Sequence, residues 1–217
     1  MAYLLAIEGA DGAGKGTVSA ALVAYLDAAG RSAALVSFPR YTETIGGFAI
    51  GAFLAGRAPQ PSPRAAATLY ALDRFESRAH LADLAAAHDV LVFDRHLASN
   101  MAYQAARVPA EEAPALMAWV RALEVDQFGL VPPDRSVFLD TPAAVSRRFI
   151  AQKQQRSYTD RAYDEYEADD ALQSRVRANY RTLAAADPTG WQVVATTVDS
   201  EPRAPADIAA EIADDLP

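Results

Sequence analysis

Short apolar runs alternate along this chain with longer stretches in which apolar positions recur every three or four residues. The runs cover 3–7, 32–38, 90–93, 136–139 and 192–196. Each holds at least three successive apolar residues, which predicts strands buried on both faces, the signature of a parallel sheet. The longer stretches predict helices at 16–29, 44–55, 64–87, 98–107, 110–128, 142–154, 165–186 and 204–216. Gly30 is a natural stop for the first of these helices. Ser62-Pro63 suits the start of the third, a capping hydroxyl followed by a residue with helical φ. The prediction is an α/β fold: a five-stranded parallel sheet with helices on both faces. No internal repeat is present, and the proline-rich bend at 59–63 reads as a tight loop, so residues 1–217 are expected to form one domain.

One segment departs from this pattern. Residues 152–170, "QKQQRSYTDRAYDEYEADD", hold few aliphatics and mix charges of both signs. Two readings fit: a solvated helix–loop–helix, or a lid that closes over phosphates.

Composition narrows the function classes. Of the 217 residues 51% are hydrophobic, enough for a core, and the formal charge of −8 disfavours a nucleic-acid polymer as ligand. A mononucleotide remains compatible, because a few arginines focused in a cleft can serve it. Without cysteine, disulfides, thiol catalysis and Cys-based zinc sites are excluded. The apolar start is too short for a signal peptide and no run reaches membrane-spanning length, so a cytoplasmic enzyme is expected.

The chemistry begins at residues 9–17, "GADGAGKGT". A buried strand, a glycine-rich turn and a helix follow one another, the context of a phosphate-binding loop. Gly9, Gly12 and Gly14 let backbone N–H groups converge on phosphate oxygens at a helix N-terminus. Lys15 would bridge the β- and γ-phosphates. The usual hydroxyl arrives one place late, at Thr17, after Gly16. Asp94-Arg95 follows the apolar "VLVF" and so sits at the carboxyl end of a strand, where open α/β sheets bind ligands. Asp94 suits magnesium held through water, and Arg95 a bidentate phosphate contact; a structural Asp–Arg pair is the alternative. "FPRY" places Pro39, Arg40 and Tyr41 at the same mouth, unless Arg40 is simply solvated. Tyr70 and Arg74 share one helical face, as do Asn100 and Tyr103. Together they offer an aromatic plate, a guanidinium and an amide, the parts of a base-reading pocket.

These pieces, "IEGADGAGKGT", "FPRY", "ALDR", "FDRHLASNMAY", "GLVPPD" and "YDEYE", occur in the order found in thymidylate kinases. Over nearly its whole length the chain resembles that family of P-loop nucleoside monophosphate kinases. The resemblance implies the P-loop NTPase fold with a short lid at about 150–165. It implies transfer of a phosphoryl group from ATP to dTMP with Mg2+, and a homodimer. ATP would lie on Gly9, Ala10, Asp11, Gly12, Ala13, Gly14, Lys15, Gly16 and Thr17, with Arg148 against the adenine. Asp11 would face the acceptor sugar and the metal, which explains an acid inside an anion-binding loop. Arg95, Tyr41 and Arg40, next to Pro39, would hold the acceptor phosphate. Tyr70 would stack on thymine; Arg74 and Asn100, beside Ser99, would bond its edge; Tyr103 would crowd the 2′ position. Asp164, Tyr166 and Glu167 match a segment near sugar and metal, Glu167 joining Asp11, Thr17 and Asp94 as metal ligands. Some members carry an arginine where this chain has Gly16. Lys153, Arg156 and Arg161 therefore resemble a lid-supplied set of catalytic cations beside Lys15, Arg95 and Asp11.

Rival readings differ in what they need. A guanine-specific switch requires an Asn-Lys-x-Asp element, which neither Asn100 nor Asn179 begins. A non-catalytic nucleotide-binding protein has no use for the polar helix pairs. Another P-loop nucleotide kinase or a deoxynucleoside kinase stays open, the latter requiring a base beside a hydroxyl acceptor.

Overall fold

The computed structural model describes residues 1–152 and 169–217. Its centre is Tyr3–Glu8 (β1), whose last four residues are buried. β1 pairs in parallel with Val90–Asp94 (β3) on one side and Arg135–Asp140 (β4) on the other. Ala33–Ser37 (β2) extends the sheet beyond β3 and Trp191–Ala195 (β5) extends it beyond β4, giving the order β2–β3–β1–β4–β5. These strands lie where the apolar runs predict them.

Helices cover both faces, as expected for strands with apolar residues on both sides. Lys15–Ala28 (α1) and the C-terminal helix Pro205–Asp214 bury Leu22, Leu26, Ile208 and Ile212 against Leu5, Ile7, Val137 and Val194. On the opposite face Ile45–Leu54 (α2), Leu97–Ala105 and Asp170–Ala186 pack around Ile50, Phe53, Tyr103, Phe138 and Tyr180. Gly30, with φ 80°, ends α1, its N–H donating to Asp27 O while Arg31 N–H reaches Leu26 O.

Three predictions need correction. The helix expected over 64–87 is two helices, Pro63–Glu76 (α3) and Arg78–Ala87 (α4), broken at Ser77. The Ser77 hydroxyl donates to Asp73 O at 2.8 Å and accepts from Arg40 Nη1 at 3.1 Å, a local back-bond that competes with helix continuation. The helix expected over 110–128 is Ala113–Arg121 followed by a π-helical segment, Ala122–Gln127. A short antiparallel hairpin, Thr197–Val198 with Glu201–Pro202, carries no signal in the hydrophobic pattern. For the helix expected over 165–186, Asp170–Ala186 is helical and 165–168 lie outside the described residues.

The register decides where chemistry collects. Ile7 and Ser37 both pair with Asp94, so the ends of β1, β2 and β3 lie level. Glu8-Gly9, Phe38-Pro39 and Asp94-Arg95 thus emerge along one edge of the sheet, together with Asp140-Thr141 from β4.

Candidate active site

Between β1 and α1 the chain wraps the N-terminus of α1. Gly12 and Gly14 adopt φ of 74° and 85°, and Gly14 is the residue preceding the helix. A side chain at Gly12 would run into Ser146 O and come within 2.8 Å of Ile150 Cγ1, so here the loop also presses on the helix after β4. Lys15 is buried and its ammonium donates to Ala10 O at 2.8 Å, spanning the loop it serves. In front of the loop lies a cavity of about 580 Å³. Gly12 to Val18, Asp94 and Arg95 line one end; Phe149, Thr196, Pro202, Arg203, Pro205 and Ile208 line the other. Its size fits a nucleotide. At the far end Phe149, not the exposed Arg148, reaches the cavity wall.

The hairpin missed from sequence builds that far wall. Arg203 is held there by its Nη1 donation to Ala195 O at 2.8 Å and by an ion pair with Glu211 at 2.6 Å.

Asp94 closes the near end. Its Oδ1 is buried with no hydrogen-bond partner among the described residues, and its Oδ2 would stand 3.2 Å from a Cβ placed on Gly16. A glycine at 16 thus leaves the carboxylate clear beside exposed Thr17. An unpaired buried carboxylate oxygen beside a hydroxyl and a phosphate cavity is the oxygen chemistry that suits Mg2+, which takes one or two carboxylates and completes its shell with phosphate and water. Among the described residues no group of three or more His, Cys, Asp or Glu side chains is placed to hold a metal ion.

Arg95 joins this cavity to the rest of the site. Its backbone takes φ 72°, left-handed for a residue with a side chain, a conformation held only where the surroundings enforce it. The guanidinium ion-pairs with Asp11, donates to Gly9 O at 3.3 Å and Ser99 Oγ at 3.2 Å, and lies 5.0 Å from the centre of the Tyr103 ring. Burial opposes the charge, but Tyr103 and Asp11 outweigh it and hold the pKa well above its ordinary value. Asp11 spends its second oxygen on Gln173, which donates from Nε2 at 2.8 Å while its Oε1 accepts from Asp11 N–H at 3.0 Å. The acid inside the loop therefore meets Arg95 and the last long helix, and is not among the residues that line the cavity around Lys15.

Beneath Arg95 sits Glu8, fully buried. The helix Leu97–Ala105 (α5) has no side-chain cap of its own, and Glu8 supplies one from β1. Its Oε1 accepts from the N–H groups of His96 at 2.8 Å and Ser99 at 3.3 Å; its Oε2 accepts from Ser99 Oγ at 2.6 Å and Tyr180 OH at 3.0 Å. Four donors meet the four lone-pair sites of one carboxylate. Burial raises the Glu8 pKa, and the Ser99 and His96 bonds pull part of the way back. His96 packs against Phe38 and Phe93, and burial, with Arg74 nearby, pushes its pKa well below the usual histidine value.

Of the expected substrate-binding residues, the structure brings Tyr70, Tyr103 and Tyr41 to one cluster. Asn100 and Arg74 are buried to within 2% and meet at Glu124. For Arg40, Nη1 donates to Ser77 Oγ at 3.1 Å and Nη2 pairs with Glu43, while its backbone N–H donates to Asp73 at 3.1 Å. Lys153, Arg156, Arg161, Asp164, Tyr166 and Glu167, with most of the expected lid, lie outside the described residues.

Comparison with known proteins fits this geometry. A sequence model described as thymidylate kinase matches residues 7–202. The chain belongs to the thymidylate kinase family. It is 40% identical over 199 residues to the thymidylate kinase of Mycobacterium tuberculosis strain H37Rv, covering 90% of this chain and 92% of that one. The thymidylate kinase of Bifidobacterium longum strain NCC 2705 is 32% identical over 201 residues, covering 88% and 87%. The solved thymidylate kinase of Candida albicans shares the fold with a TM-score of 0.74 at 20% identity, covering 98% of this chain and 90% of that structure. Thymidylate kinases are phosphotransferases, and membership makes this chain a nucleoside monophosphate kinase that converts dTMP to dTDP. Among the described residues no helix is long and apolar enough to cross a membrane.

Glu8, Glu124, Gln173 and Tyr180 escaped the sequence reading. Glu8 did leave a trace, an acid ending an otherwise apolar strand directly before the glycine loop. The others sit in ordinary helical patterns and show their role only through their partners.

Proposed function

We propose that ATP binds in the cavity before Lys15 and dTMP on the α2, α3 and α5 side, with Arg95 at the junction. The observation that carries this reading is the position of Arg95, which lines the nucleotide cavity and also touches Ser99 and Tyr103 of α5. Both reacting groups are anions, so the site has to align and neutralise them; the acceptor phosphate needs no general base. Lys15 and the N–H groups of the glycine loop hold the donor phosphates. Arg95 orients the acceptor phosphate, helped by Tyr41, and its bond to Asp11 fixes the plane of the fork. Asp94 and Thr17 would hold Mg2+, which when bound neutralises charge on the transferring phosphates. Asn100 and Arg74 read the base under Tyr70. The remaining transition-state cations are assigned to Lys153, Arg156 and Arg161.

A homodimer in the cytoplasm belongs to the same reading. The support for the homodimer is α2, where the apolar side chains of Ile45 and Phe48 are 73% and 70% exposed on an otherwise largely buried helix.

The test is ADP release by the purified protein with ATP, Mg2+ and a panel of nucleoside monophosphates. dTMP should be preferred and dTDP should accumulate stoichiometrically with ADP. ATP hydrolysis independent of any monophosphate, without dTDP, would overturn the reading.

A further inference from the structure

The two residues that would read the base are both governed by a third, which lies on a different element. Glu124 is 1% exposed and sits inside the π-helical segment Ala122–Gln127. There Phe128 N–H donates to Leu123 O at 3.0 Å, the wide spacing of a π turn, a form that concentrates at functional sites. The Glu124 carboxylate accepts from Arg74 at both oxygens, with Nε at 2.7 Å from Oε2 and Nη2 on Oε1. Oε1 also accepts from Asn100 Nδ2 at 2.7 Å. The second Asn100 N–H is taken by Ala67 O at 3.0 Å. An amide has two N–H donors, and both are spent. Turning it over would set Oδ1 against a carboxylate and a carbonyl.

The Asn100 orientation is therefore fixed, and its Oδ1 is left buried with no partner among the described residues. Arg74 has spent Nε and Nη2, and no described residue accepts from Nη1. Asn100 thus offers an acceptor and Arg74 offers the N–H groups of Nη1 as donors. A 4-oxopyrimidine edge carries N3–H beside O4, the complement of that pattern. Cytosine carries an acceptor N3 beside an amino group, its opposite. A site built to bond a polar edge rejects the wrong edge strongly, because its own buried groups go unpaired.

We infer that Glu124 is a specificity-determining positioning residue. It fixes the Asn100 amide and the Arg74 fork so that the site accepts thymine and refuses cytosine. This rests on the dTMP kinase reading above. Glutamine at 124 keeps the shape but offers one oxygen where the carboxylate offers two, and its N–H group faces donors. Either Asn100 or Arg74 then loses its orientation.

The wild-type protein is assayed first with dTMP and dCMP; absence of dTMP turnover would sink the functional reading itself, not this refinement. With turnover established, Glu124→Gln is expected to raise KM for dTMP at least tenfold and leave kcat within threefold, since the base lies away from the transferred phosphate. The ratio of kcat/KM for dTMP over dCMP should fall at least tenfold. A merely structural ion pair would change stability and leave that ratio alone. A folded Glu124→Gln protein whose ratio stays within twofold of wild type overturns the inference. If that variant does not fold, Glu124→Asp, which keeps the charge but withdraws it by one methylene, carries the same test. Its ratio should drop at least threefold, and an unchanged ratio overturns the inference equally.

Discussion

Replacing Arg95 by lysine separates charge from geometry at the junction of the two substrates. The guanidinium donates to Gly9 O, Ser99 Oγ and Asp11, contacts Tyr103 OH at 3.4 Å and still faces the cavity. Lysine keeps the charge but ends in a single ammonium with three donors and no planar fork. The ammonium can stay on Asp11, which costs the Ser99 contact, the ring contact with Tyr103 and one of two prongs on the acceptor phosphate. Hydrogen bonds to charged groups contribute about 1.5–3 kcal/mol each. Losing two of them, less what the retained charge recovers, leaves about 3–4 kcal/mol, or roughly 10²–10³ in kcat/KM for dTMP. The coupled assay should be run with dTMP varied at saturating ATP. The loss should fall on both kcat and KM, because Arg95 holds the phosphate before and during transfer. If kcat/KM for dTMP in Arg95→Lys stays within threefold of wild type, Arg95 is a structural partner of Asp11 and the acceptor phosphate lies elsewhere.

Three further outcomes are expected. Gly12→Ala forces a left-handed backbone on alanine and drives its methyl into Ser146 and Ile150. About 2–4 kcal/mol of stability should be lost, and the upward Tm shift that ATP gives the wild type should vanish; a normal ATP-dependent shift would show that the loop tolerates a side chain there. Tyr180→Phe keeps the stack on Phe138 at 5.4 Å but removes a donor from Glu8. It should cost about 2 kcal/mol, lowering Tm by about 4–8 °C with KM for dTMP little changed, and an unaltered Tm would remove Glu8 from the set of buried bonds that hold α5. Tyr103→Ala should raise the relative kcat/KM for the ribose analogue of dTMP by roughly one to two powers of ten, by opening space at the 2′ position. Because the ring is buried the melt falls as well, so the ribo-to-deoxy ratio is the quantity to read, and a constant ratio returns Tyr103 to the core.

The sequence by itself determined that five buried strands form a parallel sheet and where the glycine loop lies, because these follow from local apolar runs and from the backbone freedom of a few residues. It also placed Asp94-Arg95 and "FPRY" at strand ends, where the chain must leave the sheet. What it left undecided depends on partners far along the chain. Asp11 meets Gln173 across 162 positions, and Glu8 meets Tyr180 across 172. No periodic pattern encodes such a pair, since each residue alone is compatible with a solvated surface. Arg40 is a further case: nothing in "FPRY" announces that its guanidinium meets Ser77 and Glu43, which the fold brings beside it. Glu124 is the clearest case. An acid in a helical stretch is ordinarily exposed, yet Glu124, within the π-helical segment, is buried where it meets Arg74 and Asn100. Local order is written in neighbouring residues. The orientation of a buried polar group is set by which acceptors and donors the tertiary structure brings against it.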